Sequence, residues 1–195
     1  MRVILAEKPS VAQSIAAVLG ADQKKNGYLQ GENDLVSWCI GHLIELAPPE
    51  IYDARYAKWR REDLPIVPSA WESVVSDGTK KQFAVLKDLL NRTDVDEVVC
   101  ATDAGREGEL IFRMVYEKTG CTKPVKRLWI SSLEESAIRD GFRSLKPGTA
   151  YDALYRAALC RAQADWLVGI NGTRLYSRLY GTKLNVGRVM TPTLA

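Results

Sequence analysis

Short apolar runs alternate with amphipathic stretches through the first two thirds of the chain. Val3–Ala6 is wholly apolar, bounded by charge, and predicts a buried strand. Val11, Ile15, Val18 and Leu19 then recur at helical spacing and stop near Gly20, behind Pro9 and Ser10, which suit a first turn or its cap. Leu35–Ile40 alternates as a strand does, and His42–Leu46 offers another before Pro48 and Pro49. From 50 to 80 the residues Tyr52, Tyr56, Trp59, Leu64, Pro65, Pro68 and Trp71 follow no period, which predicts loops and short pieces. A helix is expected over Gln82–Asn91 from Phe83, Leu86, Leu89 and Leu90. A strand follows over Glu97–Thr102, a helix over Glu109–Lys118, and a strand over Val125–Ile130. Ser131 and Ser132 with Glu134 and Glu135 have the form of a capped helix start. Strands alternating with helices predict an α/β fold, a mainly parallel sheet flanked by helices.

The pattern changes after Lys146-Pro147-Gly148, a natural punctuation. Tyr151, Leu154, Tyr155, Ala158, Leu159, Ala162 and Trp166 line one side of a long amphipathic helix, with Arg156, Arg161 and Asp165 off that stripe. Arg174, Leu175, Arg178 and Leu179 suggest a further helix. Charge divides at the same place. Residues 146–195 hold seven basic and two acidic side chains, a net of +5, which leaves −2 on residues 1–145 from the +3 of the whole chain. Two modules are therefore expected, 1–145 and 146–195. No apolar run approaches the roughly 20 residues of a membrane helix. The four cysteines, at 39, 100, 121 and 160, are too far apart for a CxxC pair and fit reduced thiols in the cytosol.

Two acidic motifs sit at predicted strand ends, Ala6-Glu7-Lys8-Pro9-Ser10 and Ala101-Thr102-Asp103-Ala104-Gly105-Arg106-Glu107-Gly108-Glu109. Ligands of open parallel sheets gather at the carboxyl ends of strands. If the two strands are neighbours, Glu7, Asp103 and Glu107 converge, and carboxylates that close repel unless a cation lies between them. Mg²⁺, a hard ion that takes oxygen ligands, water and phosphate, is the natural filler, and phosphoryl transfer the chemistry served. Lys8 and Arg106 would face phosphate oxygens. The alternative is structural, with Glu7 and Lys8 solvating a strand end and Asp103 capping a helix.

These motifs, together with Ile40-Gly41-His42-Leu43, Trp129-Ile130-Ser131-Ser132, Arg161-Ala162-Gln163-Ala164-Asp165-Trp166 and Asn185-Val186-Gly187-Arg188-Val189-Met190-Thr191-Pro192-Thr193-Leu194-Ala195, resemble the type IA DNA topoisomerases, beginning with their Toprim domain. The resemblance spans nearly the whole chain in family order. It implies a Toprim domain over 1–145, followed over 146–195 by the helical start of the family's DNA-binding core. It also implies Glu7 and Asp103 as Mg²⁺ carboxylates, Glu107 as the third acid, and Lys8 as the lysine beside the transferring phosphate. One departure matters. Where the family's D-x-D-x-E run has its second aspartate, this chain has Gly105, so one metal ligand is missing.

The family breaks a DNA strand through a tyrosine that becomes linked to the 5′ phosphate, and that tyrosine lies beyond the V-G-R-V motif. None of the eight tyrosines here occupies that context, and Tyr151, Tyr155, Tyr176 and Tyr180 suit core or DNA-packing roles. The chain is thus expected to be an N-terminal piece, inactive alone, whose partners are single-stranded DNA and the remainder of the polypeptide, in the cytoplasm and without a membrane. The resemblance further implies DNA contacts by His42, Arg161, Asp165, Arg174, Arg178, Asn185, Val186, Gly187, Arg188, Val189 and Met190. For Arg161 and Asp165 the alternative is a simple i, i+4 ion pair, and for the remaining arginines a solvated face. Trp59, Trp71 and Trp166 could stack bases, with core packing the better role for Trp166. No G-x-x-x-x-G-K-[ST] loop is present, so no ATP is implied. A Toprim nuclease or primase shares the acidic motifs but lacks the R-x-x-x-D and G-R-V segments, and a non-catalytic DNA-binding module is the third possibility.

Overall fold

The computed structural model describes residues 1–194. Ala195, the last residue of the C-terminal motif, lies outside them. In chain order the elements are β1 (Arg2–Ala6), α1 (Pro9–Leu19), β2 (Gln23–Lys25), β3 (Tyr28–Gln30), β4 (Asp34–Trp38), β5 (Ile44–Leu46) and α2 (Pro49–Tyr52). There follow β6 (Ser73–Val75), α3 (Lys80–Leu90), β7 (Glu97–Ala101), α4 (Arg106–Thr119), β8 (Val125–Arg127), α5 (Glu135–Arg143), β9 (Lys146–Pro147), α6 (Asp152–Tyr180) and α7 (Met190–Leu194). The chain divides into two compact units. The first holds Met1–Ile44 and Val75–Ala158, the second Glu45–Val74 and the chain from Leu159 onward.

A seven-stranded sheet, ordered β2-β3-β4-β1-β7-β8-β9, forms the first unit. Its four central strands are mutually parallel, and the strands outside them, β2, β3 and β9, pair antiparallel. This is the expected α/β class with a mainly parallel sheet. The apolar runs are continuous because both sheet faces are covered. Ile4, Val36 and Val99 point to one face, under Ala12, Ile15 and Ala16 of α1 and Ile138 of α5. The alternate residues Val3, Leu5, Leu35 and Val98 are just as buried on the other. Each such Val, Leu or Ile contributes about 1.5–3 kcal/mol by leaving water.

Three local expectations change. The hairpin β2–β3 escapes the hydrophobic pattern because β2 is wholly exposed; its signal is the turn pair Asn26-Gly27. The helix expected to start at Ser131 starts at Glu135, and Ser132 Oγ instead accepts the Glu134 N–H at 3.2 Å. Lys146-Pro147, read as punctuation, is an edge strand, with Lys126 opposite Pro147 and Arg127 opposite Lys146. A two-residue edge strand has too little sequence to show a period.

In the second unit, Trp166 of α6 is the centre. Its indole N–H donates to Ala47 O at 3.0 Å, and Tyr52 and Trp71 meet it edge to face. Asn171 clasps Ile66 from both sides, accepting its backbone N–H at 2.6 Å and donating to its carbonyl at 2.9 Å. The aperiodic 45–74 segment therefore packs with the C-terminal helix, a grouping that a division at residue 145 does not contain. The two helices expected after Gly148 are one, the 29-residue α6.

Candidate functional site

β1 and β7 are parallel neighbours with Ala6 opposite Ala101, so the segments that follow, Glu7-Lys8 and Thr102-Asp103, leave the sheet side by side at its carboxyl edge. Glu7 is buried, and its Oε2 accepts the Asp103 backbone N–H at 3.2 Å. Asp103 is exposed, as is Lys8 at the N-cap of α1. Gly105 is the N-cap of α4 and Glu107 lies in its first turn. That turn presses on the strand end. Thr102 Oγ1 donates to Gly108 O at 2.7 Å, and a Cβ at residue 108 would fall 2.2 Å from Asp103 O. Glycine at 108 is a steric requirement of this close approach. Glu107 is exposed, and its Oε1 lies 2.6 Å from His42 Nε2. A cavity of about 350 Å³ opens beside Asp103, lined by Val11, Ile130, Ser131, Ser132 and Leu133.

Beneath this edge lies a buried charge network with no counterpart in the sequence reading. Arg127 is 1% exposed. Its Nη1 donates to Thr102 O at 2.7 Å and Leu128 O at 2.9 Å, and its Nη2 to Asp103 O at 2.7 Å. Its Nε faces Glu109 Oε2 at 3.1 Å, an ion-pair distance at an angle short of a hydrogen bond. Glu109 accepts from Arg113 through its other oxygen at 2.9 Å, and Arg113 also donates to Asp152 and to Gly148 O. Burial works against the charge on Arg113, but its bonds to Glu109 and Asp152 prevail and its pKa is raised. The available signal was the adjacent pair Lys126-Arg127 in a strand, whose side chains must point to opposite faces, so that one charge turns inward and must be paired.

Among the described residues, no group of three His, Cys, Asp or Glu side chains comes together as metal ligands. Glu107 is turned to His42, while Glu7 and Asp103 follow the adjacent ends of β1 and β7. Two carboxylates at adjacent strand ends still fit Mg²⁺, which commonly takes one or two carboxylates and completes its shell with water and phosphate. They do not fit a closed protein cage.

Of the residues expected to contact DNA, His42 belongs to the acidic edge. Arg161, Asp165 and Arg188 come together in the second unit. Asp165 accepts from Arg188 Nε and lies 3.8 Å from Arg161 Nε. Arg161, Arg178 and Arg188 are exposed. Arg174 is a correction. It is 5% exposed, donates to Tyr56 O at 2.7 Å and lies over the Trp59 ring. Burial lowers its pKa against the pull of Glu50 and Asp63, and no face of it is left for a phosphate. The 184–189 segment folds back on α6. Leu184 N donates to Ser177 Oγ and Val186 N to Thr173 Oγ1, both at 2.9 Å, while Gly172 admits Val186 where a Cβ would stand 2.8 Å from Val186 Cγ1. Asn185, Val189 and Met190 are exposed, and Val186 and Gly187 half-buried. Tyr151 stacks on Trp129, Tyr155 donates to Glu117, and Tyr176 stacks on Tyr180.

A sheet edge where Glu7 follows one strand and an Asp103-x-x-x-Glu107 run follows its parallel neighbour, with basic helical structure later in the chain, agrees with a defined family. The Toprim domain family matches residues 2–133, more than half of the chain, and the chain belongs to it. A second family, described as DNA topoisomerase, matches residues 149–195. The chain is 55% identical over 194 residues to DNA topoisomerase 3 of Shouchella clausii, covering 100% of this chain and 27% of that protein. To DNA topoisomerase 3 of Bacillus thuringiensis strain Al Hakam it is 53% identical over 193 residues, 99% of this chain and 26% of that protein. It thus spans about a quarter of the length of these relatives. Its fold is like that of topoisomerase I from Thermotoga maritima, with a TM-score of 0.67 and 24% identity over 98% of this chain and 29% of that one. Among the described residues, no helix is long and apolar enough to cross a membrane.

Proposed function

We propose that this chain is the metal-bearing and strand-holding part of a type IA DNA topoisomerase, of the bacterial topoisomerase III kind, that cleaves, passes and religates single DNA strands. The observation carrying this is the pairing of Glu7 with the Asp103 strand end in a chain of the Toprim family whose relatives are DNA topoisomerases. In this reading residues 1–145 are the Toprim domain and 146–195 the start of the helical core. Glu7 and Asp103 hold the cation, and Lys8 faces the scissile phosphate. When bound, Mg²⁺ neutralises charge on the transferring phosphate. Glu7 keeps Asp103 in register through the Asp103 N–H, and Arg127 fixes the same strand end from below through the Thr102 and Asp103 carbonyls. His42 holds Glu107 at the rim. Arg161, Arg178 and Arg188 contact strand phosphates, with Asp165 orienting Arg188 and Arg161. The attacking tyrosine is contributed by sequence outside this chain, the cycle needs no ATP, and the site of action is the cytoplasm.

The test supplies the remaining part of a relative's DNA topoisomerase 3, tyrosine included, in trans. Relaxation of negatively supercoiled DNA with Mg²⁺, absent from either part alone and lost in Glu7→Gln or Asp103→Asn, is the expected result. Nicking or primer synthesis by this chain alone would favour the Toprim nuclease or primase reading. Strand binding without relaxation in the mixture would favour a non-catalytic DNA-binding module.

A further inference from the structure

A groove of about 520 Å³ lies in the first unit between α1 and the β2–β3 hairpin, on the side of β1 away from β7. That is the size of a small-molecule site, larger than an ion needs. Its walls are apolar, Ala16 and Ala17 of α1 on one side and Leu29 and Trp38 of the sheet on the other. Trp38 is half-buried and packs against the core beneath α1. Its backbone is fixed on both sides: Gln82 Nε2 donates to its carbonyl at 2.8 Å, and the N–H of Cys39 donates to Ala6 O at 2.8 Å. Gln13, Lys24 and Lys25 also line the groove and are exposed. Among the described residues, neither lysine has an ion-pair partner and the Gln13 amide has no hydrogen bond. Lysines on an edge strand such as β2 deter pairing with another chain. That role accounts for neither the cavity nor the indole at its wall.

We propose that this groove seats one nucleotide of the bound single strand, its base against the Trp38 indole and its phosphate at Lys24 and Lys25. The inference rests on the reading of the chain as a strand-holding part of a DNA enzyme. Every base has a π face that stacks on an aromatic ring, so the seat needs no sequence. The Gln13 amide is free to meet a polar base edge, and the unpaired lysines to neutralise phosphate. Position favours the strand over a free nucleotide. Trp38, Ala6 and Ala101 lie in one row across β4, β1 and β7, so Trp38 and the strand end that leads to Asp103 are two strand spacings apart, about 10 Å. Lys25, Tyr28 and Ser37 form the row beside Trp38, which puts Lys25 at the Trp38 end of the groove. Asp22, the acid of the lining, precedes β2 at the opposite end. The positive end of the groove is thus the end that opens toward the acidic edge, and a strand seated on that edge enters it across the start of α1.

The test irradiates this chain at low salt with single-stranded oligonucleotides that carry iododeoxyuridine at each position in turn, and maps the cross-linked residue by mass spectrometry. Affinity is followed in parallel by fluorescence anisotropy. One position of the strand should cross-link to Trp38. Trp38→Leu, which keeps apolar bulk but has no aromatic face, should weaken binding about tenfold. Lys24→Gln combined with Lys25→Gln, on a strand that is exposed throughout, leaves the core untouched and should reduce the salt slope by about 0.7, the value of one phosphate. An oligonucleotide that binds without cross-linking Trp38, with affinity and slope unchanged in both variants, overturns the seat and leaves the strand-holding reading standing. No binding by the unsubstituted chain sinks both. Cross-linking of Trp38 by iododeoxyuridine monophosphate that excess oligonucleotide does not block overturns the strand seat in favour of a free-nucleotide pocket.

Discussion

The two units treat their charged side chains by different rules. At the sheet edge of the first, Glu109, Arg127 and Arg113 are buried together and spend their bonding capacity on one another and on strand carbonyls. The groups left at the surface, Asp103 and Glu107, stand on that scaffold. In the second unit Arg174 is taken inside, held by one carbonyl, one aromatic face and the Glu50 carboxylate 3.9 Å away. Arg161, Asp165 and Arg188 share charge at the surface, where pairs hold each other loosely. Residues of one motif thus divide between scaffold and chemistry, and position in the motif does not say which. What divides them is whether a charge has a buried partner.

The largest expected effect breaks the first scaffold. Glu109→Gln leaves Arg127 buried without its counter-charge, and urea unfolding should report a loss of about 3–5 kcal/mol; Arg127→Met, which leaves Glu109 paired with Arg113, should cost less. The double substitution should cost less than the sum of the two, and strict additivity would show that the pair is not coupled. Gly108→Ala forces a Cβ into Asp103 O and should cost about 1–3 kcal/mol by the same measurement, as overpacking does. An unchanged midpoint would mean that α4 is not tight against the strand end.

Arg174 and Arg188 sharpen the comparison directly. Arg174→Ala should lower stability by about 1.5–3 kcal/mol through lost charge-assisted hydrogen bonding. Arg188→Ala and Arg161→Ala should each stay within about 0.5 kcal/mol. In strand-binding titrations at several salt concentrations, the exposed pair should each reduce the salt slope by about 0.7, and Arg174→Ala should not beyond its effect on folding. A salt-slope change in a fully folded Arg174→Ala would erase the distinction drawn between the two classes of arginine.

The smallest effect concerns thiols. Burial raises the Cys100 thiol to about 11 and pushes Cys39 up as well. At pH 8, below those values, both remain protonated and poorly nucleophilic, whereas Cys160 is exposed. One thiol should therefore react promptly with an aromatic disulfide reagent, and Cys39 and Cys100 only on unfolding. Prompt labelling of Cys100 would mean that the β7 edge opens in the native state.

The hydrophobic pattern alone determined most of the first unit. Runs such as Val3–Ala6 and Glu97–Thr102 are legible because a strand covered on both faces has to be apolar throughout. The helical spacing before Gly20 and through Lys118 follows from one-sided burial. The acidic motifs were legible as sequence, and their convergence followed from placing them at strand ends. Partnership was not legible, since it depends on residues distant in the chain. Arg127 meets carbonyls 24 and 25 positions away, and His42 meets Glu107 across 65. Asn171 reaches Ile66 across 105 and binds a segment without periodicity to a helix that has it. A charged side chain reads the same whether it ends in water or in the interior. Only the tertiary structure decided that Glu109 and Arg174 are buried while Asp103 and Arg161 stay exposed, because desolvation and pairing are set by neighbours that folding brings from elsewhere in the chain.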